Sequence, residues 1–120
     1  MNFLCQIWFT TDEINALSEE EGRRLTEESI INDNRLRESG HLIAAQALRP
    51  PSTAVTVRVT GREVSVTDGP FAELKEHLGG FVLIKAGDID EAARVAATFP
   101  VARYGRVEVR PAYDIRYPDQ

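Results

Sequence analysis

Two residues stand where proton chemistry is natural, His41 and Asp68. Histidine is the side chain that exchanges protons near neutral pH. His41 follows Gly40, which ends a helix, and opens a strand. Asp68 precedes Gly69-Pro70, and carboxylates at cleft-lining turns often titrate in function. Each also has a structural reading. His41 can cap helix carbonyls or pack at the end of a sheet. The Asp68 carboxylate can accept backbone N–H bonds and hold its own turn. As a pair they would serve as acid and base in a cofactor-free proton transfer or elimination.

The remaining chemistry-bearing residues read more plainly. Glu73 and His77 are four apart, so a helical turn puts them on one face. Without a third ligand they make a surface pair rather than a metal site. The single Cys5 alternates with Phe3 and Ile7, which predicts a buried, inert thiol. The glycines follow neither the dinucleotide-binding nor the P-loop spacing, so no nucleotide cofactor is expected.

The elements that must position these residues follow from pattern. Asn2 to Phe9 is β-rich, with Phe3, Cys5, Ile7 and Phe9 on one face and Leu4 and Trp8 on the other. Ser18-Glu19-Glu20-Glu21 forms a capping box that opens a helix to about Ser39, stopped by Gly40. Its apolar stripe (Leu25, Ile30, Ile31, Leu36) is thin. Leu42 to Leu48 reads as a strand broken by Pro50-Pro51. Val55, Val57 and Val59, then Val64 and Val66, alternate with polar residues about a tight turn at Gly61, which is a hairpin. One or two helical turns are predicted over Ala72 to Leu78, then a strand from Phe81 to Lys85. Asp88-Ile89-Asp90-Glu91 is a second capping-box pattern, before a short helix from Ala92 to Phe99 and a last strand at Val107 and Val109.

The order is β-α-β, a hairpin arm, and β-α-β. Without the arm this is the split βαβ repeat of a ferredoxin-like α+β sandwich. Helices cover one face of such a sheet, yet the first strand and Phe81 to Ile84 are apolar on both faces. A second copy of the sheet is the economical cover, which implies a homodimer. In one subunit this topology puts His41 and Asp68 at opposite ends of a strand, about 17 Å apart.

The 120 residues fit one domain spanning 1–120, with enough core to fold without disulfides or structural metal. A lone Cys points to no oxidising compartment. Phe3 to Phe9 is too short for a signal peptide or a membrane span, so a soluble cytoplasmic protein is expected. Nineteen acidic residues against fourteen basic give a net charge of −5, which argues against nucleic-acid binding. The arginines Arg103, Arg106, Arg110 and Arg116 are interrupted by Glu108 and Asp114, as on a solvated sheet edge.

The run from Val66 through Asp68-Gly69-Pro70-Phe71 to Gly79-Gly80-Phe81 resembles the signature of the YCII-related family, in its DGPF-domain branch. The closing Gly105-Arg106-Val107-Glu108-Val109-Arg110-Pro111 and the stretch from Gly40-His41-Leu42 to Ala54 fit as well. Leu74 departs, standing where the family usually carries Thr. The resemblance implies a dimeric ferredoxin-like fold in a bacterial cytoplasmic protein. It also implies, for some members, genes beside those of extracytoplasmic-function sigma factors. A relative in the wider group is a dehydrochlorinase for which a His/Asp pair is proposed. Two functions are therefore expected: a small-molecule cleft with His41 and Asp68 as catalytic candidates, or a non-catalytic regulatory module linked to a sigma factor.

Overall fold

The computed structural model describes residues 1–115; Arg116 lies outside the described residues. The chain runs β1 (Asn2–Thr10), α1 (Thr11–Asn15), α2 (Glu19–Glu38) and β2 (Leu42–Ala47). It continues through β3 (Val55–Thr60), β4 (Glu63–Asp68), β5 (Glu76–Lys85), α3 (Ile89–Ala96) and β6 (Arg106–Pro111). Strands β2, β5, β1 and β6 form one sheet in that spatial order, every neighbour antiparallel. This is a ferredoxin-like α+β sandwich. Strands β3 and β4 pair only with each other, as a hairpin inserted between β2 and β5.

Local hydrogen bonding sets the helix ends. Ser18 and Glu21 cap α2 reciprocally at 3.0 and 3.1 Å, and Gly40 takes a φ of +82° after its last turn. Thr10 and Glu13 make the same box at the start of α1, a five-residue helix that the pattern reading passed over. Asp88 caps α3 by accepting the Glu91 N–H at 2.8 Å. The reciprocal half is absent here, because the Glu91 side chain goes elsewhere.

The core lies between the sheet and the helices. Phe3, Cys5, Ile7, Val82 and Ile84 from the sheet meet Leu36, Ala92, Val95, Ala96 and Phe99. Of the thin α2 stripe only Leu36 is buried, while Ile30 and Ile31 are exposed. Burial pushes the Cys5 thiol up to about 11, so at neutral pH it stays protonated and inert. The opposite face of the sheet has no helix on it: Leu4, Trp8, Phe81 and Leu83 remain half-exposed. No described helix is long and apolar enough to cross a membrane.

One predicted element is corrected. Ala72 to Leu78 is not helical: residues 70–75 form an irregular loop, and β5 begins at Glu76. Glu76, His77 and Leu78 pair with Thr10, Phe9 and Trp8, and this ladder outweighs a local helical preference. Glu73 and His77 therefore do not share a helical face. Gly79 is the extra residue of a β-bulge between Ile7–Gly80 and Trp8–Leu78. A Cβ there would sit 2.6 Å from the Phe9 ring, so the crossing of strands requires glycine.

Candidate functional site

The uncovered face of the sheet carries a groove of about 700 Å³ at the end where β1 finishes and β5 and β6 begin. Trp8 and Leu74 give it apolar wall, and Lys75, Glu76, Arg106 and Glu108 give it charge. Register explains the assembly: Trp8 of β1 pairs with Leu78 of β5 on one side and Arg106 of β6 on the other. Arg106 then bridges two carboxylates, Glu76 at 2.8 Å and Glu13 from the α1 cap. Hydrogen bonds from the Thr10 N–H and hydroxyl region, with Arg106 adding its charge, hold the Glu13 carboxyl below its ordinary range. Three strand ends are thus pinned around one indole. Among the described residues no charged partner is recorded for Lys75.

The two other described tail arginines are also paired. Arg103 binds Glu28 and lies over the Tyr104 ring, and Arg110 binds Glu108 at 3.0 Å. The basic stripe is therefore largely neutralised, as expected of a solvated edge.

His41 sits at the far end of the sheet, on the helical side. Its Nε2 lies 2.9 Å from Glu91 Oε1 and its Nδ1 lies 2.7 Å from Ser39 Oγ. The other oxygen of Glu91 accepts the Gly87 N–H at 2.8 Å. That backbone bond first, and His41 second, hold the Glu91 carboxyl below its ordinary range. The Ser39 hydroxyl also lies 3.1 Å from Leu36 C=O, to which it donates, so one serine joins the end of α2 to the imidazole.

Ser39, His41 and Glu91 have the connectivity of a nucleophile, base and orienting carboxylate. The setting lacks the rest of such a site. Ser39 closes the C-terminal end of α2, where carbonyls face outward rather than the N–H groups that stabilise an oxyanion. The cluster therefore acts as a strap from α2 to the start of α3. Sequence reading had both of its ends in view but not their meeting, since His41 and Glu91 are 50 residues apart.

Asp68 ends β4 opposite Val55 and is exposed. Its turn is held by the backbone around Gly69, whose N–H bonds Ala54 C=O at 2.7 Å and whose C=O accepts the Thr56 hydroxyl at 2.9 Å. Among the described residues no bond to the Asp68 carboxylate supports that turn, contrary to its structural reading. Gly69 has a φ of +90°, the left-handed region that favours glycine. Within one chain His41 and Asp68 are not brought together. Among the described residues no group of three metal-ligating side chains occurs.

The family profile described as the YCII-related domain matches residues 1–116. An uncharacterized protein of Rhizobium meliloti (strain 1021) is 38% identical over 99 residues, covering 81% of this chain and 80% of that protein.

Proposed function

Because the chain belongs to the YCII-related family, we propose for it a cofactor-free role built on a homodimer whose open-face groove binds a small organic molecule. The Asp68 to Phe71 block leads us to the DGPF-domain branch. The observation that carries the reading is the groove beside Trp8, an apolar wall with a few convergent charges, which is how small-molecule sites are made. A half-apolar sheet face with no helix on it needs cover, and a second copy of the chain supplies it without any further component. Any chemistry is proton transfer of lyase or isomerase type, with Asp68 the first group to test at the groove and His41, on the helical side at the far end of the sheet, tested apart from it.

The test uses Trp8, the single tryptophan of the chain. Small phenols, quinols, lactones and carboxylates are titrated while Trp8 emission and Tm are followed. A binder present at 100 times its Kd should add about 2.7 kcal/mol of stability and shift the emission saturably. Silence across all four classes overturns the reading.

A second reading, a non-catalytic module working with an extracytoplasmic-function sigma factor, is favoured by one observation: the valines of the hairpin are exposed. Co-purification with such a factor, together with that silence, would decide for it.

A further inference from the structure

Two apolar surfaces of this chain lack cover, and they do not meet. The first is the hairpin. Cross-strand register places Val57 beside Val66 and Val59 beside Val64, with Val55 beside Asp68, all on one side. The five valines are 58–65% exposed. The other side carries Thr56, Arg58, Ser65 and Thr67, so the hairpin is patterned to bury one face only. A lone two-stranded hairpin is marginal in water, and both of its outer edges offer unpaired backbone groups. The second surface is the open face of the four-stranded sheet. The chain is correspondingly spread, with a radius of gyration of 16.6 Å against about 14 Å for a compact domain of this length.

We propose that the hairpin of one copy lies valine side down across the open sheet face of a second copy, roofing that copy's groove and delivering Asp68 to its rim. The inference rests on the dimer reading above and adds to it a residue supplied in trans.

Three features fit this occupant. The hairpin springs from the groove end of the sheet: β2 ends beside Gly80, and β5 resumes at Glu76 opposite Thr10. A two-fold axis beside that end therefore exchanges the two hairpins. The valine side of the hairpin offers six strand residues, and the open face adds residues from four strands, toward the ~20 residues a side of a standard interface. Asp68 shares the valine side and, among the described residues, has no bond to its carboxylate, while the groove presents Lys75, which has no charged partner among them. Those two charges are complementary.

The experiment places a photo-reactive benzoylphenylalanine at Val57 in a mixture of ¹⁴N- and ¹⁵N-labelled full-length chains. Cross-links to peptides from residues 2–10 or 76–85 that join unlike isotopes support the proposal. A dimer whose cross-links join only like isotopes, or that yields none, overturns the hairpin placement and leaves the groove dimer standing. A wild-type protein that scatters as a 13.4 kDa monomer at tens of micromolar overturns both.

Val57→Asp/Val66→Asp is the second arm, since the core uses neither residue. Unchanged circular dichroism with a dimer Kd raised about tenfold or more, and Trp8 emission moved to the red, supports the proposal. An unchanged Kd and emission overturn it.

Discussion

The two faces of the central strands β1 and β5 are built largely from apolar residues and end in different surroundings. On β1, Phe3, Cys5 and Ile7 face the helices and are at most 8% exposed, while Leu4, Gln6 and Trp8 on the other side stay half-buried. On β5, Val82 and Ile84 are buried and Phe81 and Leu83 are not. Residue type does not separate them; cover does. Leu36 of α2 and Ala92 and Val95 of α3 close one face inside the chain, and no described helix lies on the other. The first face is a matter of folding, and in the proposed dimer the second is one of association.

The sharpest way to break this contrast is to truncate both faces. Phe3→Ala should cost about 3–5 kcal/mol in urea unfolding, the same at every protein concentration. Leu83→Ala on the open face should cost about 1 kcal/mol in dilute solution and, if the proposed dimer forms over that face, more as concentration rises. Equal, concentration-independent losses would erase the distinction.

Gly105→Ala tests the seam between the faces. A Cβ there would stand 2.3 Å from the Trp8 carbonyl oxygen, so the backbone must shift at a cost of about 1–3 kcal/mol. Because Trp8 moves with it, the emission should change along with stability. A loss of stability with unaltered emission would uncouple the groove from the strand ends that frame it.

Smaller still is the effect of acid on the strap between α2 and α3. The Glu91 carboxyl titrates below its ordinary 4.5, so its contribution is complete above that pH. It is lost as the pH falls through the lower folded value. Wild type should therefore lose Tm below pH 4.5 more steeply than Glu91→Gln, in which that group cannot titrate. Parallel curves would show that the strap carries no pH-dependent stability.

Asp68→Ala should be the mildest change, within about 0.5 kcal/mol for the isolated subunit, since its turn is held by Gly69. Its effect should appear instead in ligand affinity measured on the dimer. A drop in subunit stability of 1 kcal/mol or more would return Asp68 to a structural role.

What could be read in the sequence was what neighbours in the chain decide. The Ser18–Glu21 box, the Gly40 stop, and the valine alternation about Gly61 are all closed within a few residues, and each is present as expected. The helix over Ala72 to Leu78 failed because the partners of Glu76 to Leu78 are some 70 residues away, in β1. The candidate site failed to appear for the same reason. Trp8, Glu76 and Arg106 come from three strands, and none of the three stands out in isolation. The Thr10–Glu13 box was legible, with the same spacing as at Ser18, but it opens only five helical residues.

The placing of β1 in the middle of the sheet has a consequence for synthesis. It is synthesised before both strands that flank it, β5 with Lys85 and β6 with Pro111. At about 5–20 residues per second, Phe3 to Phe9 waits roughly 4–16 s before Glu76 to Lys85 emerges to cover it. Throughout that interval the nascent chain carries an unpaired apolar strand with both edges open. Pairing so distant along the chain is slow to form. The step that completes this fold is therefore the docking of the last third of the polypeptide onto its first ten residues, and a chain cut short before β5 has no sheet to join.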